Sequence, residues 1–130
     1  PKQGAALIAI AGPVANFLTA LLLTIVLQHF PFMSLGISLG SFLQNVVFVT
    51  VYLNIGLMVF NIIPIAPLDG SKLIGAFIPD RYYTEYQEYL HIGPYILMGL
   101  ILLQTFGINI LSRIMMPLVD IAFSAIQLIT

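Results

Sequence analysis

The chain has 130 residues, 60% of them hydrophobic and only 7% charged, with a formal net charge of −1 and no cysteine. Soluble domains carry about a quarter charged residues, so this composition points to one integral membrane domain in the lipid bilayer. The charge balance leaves no basic patch for nucleic acid, and without thiols any metal must be held by His, Asp or Glu.

The chain opens on Pro1-Lys2 with no signal-peptide pattern. It reads as the C-terminal part of a longer polytopic protein whose N-terminal helices lie upstream. A first apolar run, about Gly4 to Leu27, is long enough to span a ~30 Å hydrocarbon core at ~1.5 Å per residue. Within it Gly12, Asn16, Thr24 and Gln28 recur at multiples of four. This small and polar stripe is expected to face another helix, because lipid cannot satisfy an amide. An uncharged link, Phe30 to Ser41, leads to a second expected span from about Phe42 to Ile63, with Thr50, Asn54 and Asn61 roughly on one face.

The stretch Asn61-Ile-Ile-Pro64-Ile-Ala-Pro67-Leu-Asp69-Gly70 then interrupts the oily chain. Proline removes a backbone donor and clashes in a helix interior, so the second span is expected to end or unwind here. Asn61 and Asp69 are left on irregular backbone near the membrane boundary. Such backbone is tolerated only where it is buried in protein or lines a wet cavity. An ionisable residue there is a candidate functional group.

From Pro64 to His91 runs the charged loop, with Asp69, Lys72, Asp80, Arg81, Glu85 and Glu88. Ser71 to Ile78 is expected as a short helix with Asp69 or Gly70 near its start. Tyr82, Tyr83, Tyr86 and Tyr89 cluster at helical spacing, as in an interfacial aromatic belt. A third apolar run, Ile92 to Phe106, starts at Gly93-Pro94 and breaks near Gly107. The tail from Ile108 to Thr130 is amphipathic, with Asn109, Arg113, Pro117, Asp120, Ser124 and Gln127 every three or four residues. It either lies in the interface or packs its polar seam inward as a fourth span. The expected fold is an all-α membrane bundle of three to four transmembrane helices, broken at Asn61–Gly70. Lys2, Lys72 and Arg81 fall on one side if the first two spans cross, which puts the Asp69 loop toward the cytoplasm.

Each candidate residue has a bland reading beside the chemical one. Pro67-Leu-Asp69-Gly70 is good turn chemistry, and Asp before a short helix is a common N-cap. The other reading makes Asp69 a metal ligand or a proton-handling carboxylate. Asn61 either satisfies backbone groups freed by Pro64, or holds a substrate backbone or an oxyanion. His29, a membrane thickness from Asp69, and the single His91 read as snorkelling interfacial side chains. Glu85 and Glu88 read as a solvated face, Arg113 and Asp120 as packing or solvation, and the Met residues as apolar filling.

Asn61-x-x-Pro64-x-x-Pro67-Leu68-Asp69-Gly70 resembles a signature of the site-2 protease family of intramembrane zinc metalloproteases. Ala11-Gly12-Pro13-x-x-Asn16 resembles a second recurrent element of that family, and Asn54 ahead of Phe60-Asn61 also fits. The likeness covers roughly Gly4 to Leu111 and is greatest to the compact bacterial members, which implies a bacterial cell membrane. The resemblance implies a Zn2+ site with two histidines from an upstream His-Glu-x-x-His helix and Asp69 as third ligand. It implies Asn61 in substrate or oxyanion binding, and Gly12, Asn16 and Asn54 in helix packing near the site. The implied partner is a transmembrane protein substrate. The departure is the missing His-Glu-x-x-His, found nowhere in the chain. Alone, these residues offer one zinc ligand and no general base, so the chain by itself is expected to be inactive. Either the upstream helix lies outside these residues or the parent is a degenerate relative.

Two other classes share the pattern. Broken helices with a carboxylate at the break are also how transporters build ion sites, with Asp69 taking up a proton or sodium. A catalytically silent scaffold would bind a helical partner through the same Asn and Gly seams.

Overall fold

Prolines at the central break and glycines at positive φ (Gly36 at 95°, Gly107 at 86°) punctuate a chain that is otherwise almost wholly helical. In the computed structural model, which describes residues 2–130, five α-helices follow one another with no strand. They are α1 (Lys2–His29), α2 (Ile37–Ile62), α3 (Asp69–Phe77), α4 (Tyr83–Thr105) and α5 (Ile110–Ile129). Short 3-10 turns at Phe32–Leu35 and Asp80–Tyr82 make the two tight connections. The all-α membrane bundle read from the sequence is the fold observed.

Three helices, α1, α2 and α5, are long and apolar enough to cross a membrane. α1 and α2 form the most extensive interface, an antiparallel pair joined through the Phe32 turn. Gly40 allows the start of α2 to pass close to the Phe32 carbonyl, where a β-carbon would collide. α5 lies along this pair. Its Val119 and Ile126 join Ala20, Val51, Ile55 and Val59 in one buried cluster. Its end is tied to α1 by Gln28 Nε2 donating to Thr130 Oγ1 at 3.0 Å. In lipid, such contacts hold helices by close packing, since hydrocarbon outside is as apolar as the side chains within.

The tail packs on the bundle as a helix long and apolar enough to cross a membrane. It presents Leu111, Val119 and Ile126 to the bundle, Gln127 lines a recess with Gln28, Gln44 and Asn45, and Asn109, Arg113, Asp120 and Ser124 are exposed. Apolar side chains fill the α2 groove closely, and the polar set takes the opposite face of the same amphipathic helix. The third apolar run starts earlier than Ile92. α4 is continuous from Tyr83 through Pro94, so its first turns are polar and tyrosine-rich, and it falls outside the three long apolar helices. Elsewhere boundaries shift only at the ends: α1 extends to Lys2 and His29, and α2 begins at Ile37.

Candidate functional site

The break is built from its prolines outward. α2 ends at Ile62, and the backbone then proceeds by single-turn bonds. Ile63 N–H reaches Phe60 O at 3.2 Å, Leu68 N–H reaches Ile65 O at 2.9 Å, and Ser71 N–H reaches Leu68 O at 3.1 Å. The Ala66–Pro67 peptide is cis. Ile63 and Leu68 of this segment bury against Leu111 of α5, with Leu97 of α4 packed beside them. Ile63, Ala66 and Leu68 of the irregular segment are buried, while Pro64 and Pro67 stay exposed. Among the described residues no buried side-chain nitrogen or oxygen lacks a partner.

Two tyrosines close the other side. Tyr86 Oη donates to Ser71 O at 2.9 Å, and Tyr89 Oη donates to Pro64 O. Their spacing of three puts both on one face of α4, aimed at the break. The aromatic-belt reading of these residues missed this: two of the four tie α4 to the segment that carries Asp69. Beneath them, Pro64, Ile74, Ile78 and Pro79 line with these tyrosines a recess of about 420 Å³.

Gly70 allows α3 to start immediately beside the end of α2, where a β-carbon would overlap the Ile62 and Ile63 carbonyls. The chain therefore folds back on itself, bringing Asp69 to the end of α2 where Asn61 sits. Asp69 is the first residue of α3, with Leu68 in the capping position and no side-chain cap bond. The N-cap reading of Asp69 is not what the fold adopts. Its carboxylate is 24% exposed, and Oδ1 accepts from Lys72 Nζ at 3.2 Å. A half-exposed helical pair of this kind contributes only about 0.3–0.5 kcal/mol to stability.

Oδ2 faces α1. A β-carbon at Gly12 would stand 3.2 Å from it. Gly12 is ten residues in from Lys2 on a helix of 28, about 15 Å along the axis. Asp69 thus lies about 15 Å in from the Lys2 end of α1. The reason is α3, which occupies the length between that level and the Lys2 end, where Lys2 Nζ donates to Ile78 O at 3.2 Å and pairs with Asp80.

The other expected residues are placed as follows. Asn61 is half-buried in the last turn of α2 and makes no side-chain hydrogen bond among the described residues. Asn54 is about 10 Å back along α2 and donates to its own helix at Thr50 O, 2.8 Å away. Asn16 follows Gly12 by one turn on α1 and is half-buried. His29 is at the far end of α1 with Nδ1 3.0 Å from Ile25 O, and His91 is exposed on α4. Among the described residues no group of three or more His, Cys, Asp or Glu side chains comes together to hold a metal ion. The most polar recess, about 530 Å³ lined by Gln28, Gln44, Asn45 and Gln127, is at the Thr130 end of the bundle, away from Asp69.

Comparison with known proteins places this arrangement in context. Residues 32–103, which hold the whole break and most of α4, match the model of Peptidase family M50. The chain is 32% identical over 81 residues to a putative zinc metalloprotease, YwhC, of Bacillus subtilis, covering 61% of this chain and 37% of that protein. It is 33% identical over 82 residues to the zinc metalloprotease MJ0392 of Methanocaldococcus jannaschii, covering 63% of this chain and 22% of that one. The chain therefore spans well under half the length of either relative. No solved structure matches it.

Proposed function

Because the chain belongs to peptidase family M50, we propose that it is one part of an intramembrane zinc metalloprotease of the site-2 type that cleaves membrane-spanning substrates. The observation that carries this reading is the Asp69 carboxylate: one oxygen on Lys72, the other facing Gly12, about 15 Å along a helix long and apolar enough to cross a membrane. A ~30 Å hydrocarbon layer centred on α1 would bury that carboxylate roughly 9 Å below its surface. An acid at such depth is costly and marks function.

The donor set fits zinc in kind and supplies one position of it. Asp69 would be a single carboxylate ligand, and the His-Glu-x-x-His helix with its two imidazoles and its general base would come from elsewhere in the same protein. Bound zinc would polarise the scissile carbonyl and lower the pKa of its water. The residues present here do the rest. The break ends α2 so that Asn61 has a free carboxamide able to hold a substrate backbone, a role suited to an extended rather than helical peptide. Gly12 leaves room for the carboxylate, and the tyrosine ties keep the break in place. Asn16 and Asn54 serve α1 and α2 as packing groups. The Asp69 loop faces the cytoplasm, consistent with Lys2, Lys72 and Arg81 at that end.

The test is zinc content of the full-length gene product and its Asp69→Ala variant in detergent. About one zinc per chain, lost in the variant, supports the reading. No zinc in either would move Asp69 to the ion-handling or scaffold class.

A further inference from the structure

We propose that the amide-lined recess at the Thr130 end of the bundle is a lipid site, and that it takes a lipid with an uncharged, hydroxyl-bearing headgroup, a glycosyl diacylglycerol. The inference does not depend on the role of Asp69.

Three helices build the recess on one plan. α1 brings Gln28, α2 brings Gln44 and Asn45, and α5 brings Gln127. One turn further into each helix, on the same face, stand Thr24, Phe48 and Phe123. The Thr24 hydroxyl is spent on Ala20 O at 2.8 Å, and the two phenyl rings meet edge to face with centroids 6.4 Å apart. The recess is therefore polar at its rim and apolar at its floor, which is the gradient of a lipid from headgroup to chain. Its volume of about 530 Å³ is that of a small-molecule site.

Depth gives the rim its need for a ligand. α2 has 26 residues, so a ~30 Å hydrocarbon layer centred on it begins about 5 Å in from Ile37. Gln44 and Asn45 are about 10–12 Å in, roughly 6 Å below the surface of that layer. Hydrocarbon cannot satisfy a carboxamide there. Among the described residues the one hydrogen bond from these four carboxamides is Gln28 Nε2 to Thr130 Oγ1 at 3.0 Å. The carboxamides of Gln44, Asn45 and Gln127 are left for something else to pair.

The lining selects the class. It holds no charged side chain, and on α5 Arg113 is fourteen residues from Gln127, about 21 Å along the axis. A phosphate would find no cation and an ammonium no carboxylate. A hydroxyl donates and accepts, as a carboxamide does, so neighbouring sugar hydroxyls suit neighbouring amides. Below Asn45 the same face of α2 continues as Val49 and Leu53, 52% and 59% exposed, a path for an acyl chain that a peptide would not use.

The test is native mass spectrometry of the full-length protein in a detergent without sugar, titrated with glucosyl diacylglycerol, diacylglycerol and phosphatidylglycerol of identical chains. The variants are Gln44→Leu with Asn45→Leu, Gln127→Leu on a separate helix, and Gln104→Leu on α4 as control, with thermal melts to verify folding. The expected result is preferential retention of the glucosyl lipid, weakened about tenfold in the double variant, less in Gln127→Leu and not at all in the control. Equal binding of the glucosyl lipid and diacylglycerol would overturn the proposal, because the headgroup would not be read. Preference for phosphatidylglycerol would do the same, as would full retention in both recess variants. A photo-crosslinking residue at position 45 that captured an upstream helix of the same protein would name a different occupant and likewise overturn it.

Discussion

Gly12 and Asp69 meet across the contact between α1 and α3, with a carboxylate oxygen 3.2 Å from where a β-carbon at residue 12 would stand. A methyl group there would push Oδ2 away by a few tenths of an ångström, since 3.2 Å is tighter than ordinary packing. Metal–ligand distances tolerate about 0.2 Å. Gly12→Ala is expected to weaken zinc binding in the full-length protein, and Gly12→Val to abolish it, with melting temperature falling far less. Chelator competition beside a thermal melt checks this. Full affinity in Gly12→Val would show that the carboxylate does not need that space.

The tyrosine ties make a separate prediction. Tyr86→Phe removes the side-chain donor that the Ser71 carbonyl has beyond its own helix, and Ser71 is almost fully buried. A loss of about 1 kcal/mol is expected, with a similar one for Tyr89→Phe. Because both hold the same segment, the double variant should show coupling, measurable as non-additive shifts in a melting experiment. Additive shifts would mean that α4 is held to the break at two independent points.

Gly70 faces backbone, which cannot rotate away. Gly70→Ala should therefore cost at least as much as an overpacked core, about 1–3 kcal/mol. Gly4, with nothing within 4 Å, is the control, and Gly4→Ala should leave the melting temperature in place. Equal behaviour of the two variants would contradict the close approach of α3 to α2.

Acid should release the aqueous end of α1. The Asp80 carboxyl is held below its ordinary value of 3.8, by the Lys2 hydrogen bond first and its charge second. A depressed carboxyl contributes stability above its unfolded-state pKa, and that contribution disappears as pH falls through the folded value. Asp80→Asn should consequently speed amide exchange in the second turn of α1, the first with intrahelical hydrogen bonds, at neutral pH but make no difference in strong acid. A difference that survived acidification would assign the effect to something other than the ion pair.

Much of this was legible in the residues. The break declares itself because two prolines in an apolar run have no other use, and Gly12 and Asp69 each stand out as small or charged against their surroundings. What the one-dimensional pattern hides is which partner each group finds. Lys72 looks like one more charge in a polar loop until α3 forms and brings it onto Asp69. Tyr86 and Tyr89 look like interface residues because a hydroxyl on an aromatic ring suits both a membrane surface and a carbonyl across a gap. The polar seam of α5 was read from its periodicity correctly, yet periodicity alone does not say which side of a helix faces its neighbours. Those answers depend on contacts far apart in sequence.

α3 has a property that follows from its size. Its nine residues make a rod about 13 Å long, too short to bend. One end carries Asp69 opposite Gly12, and just past the other the Ile78 carbonyl receives Lys2. Events in the water layer, such as a change of charge at Lys2 or Asp80, thus have a mechanical route to the Asp69 carboxylate.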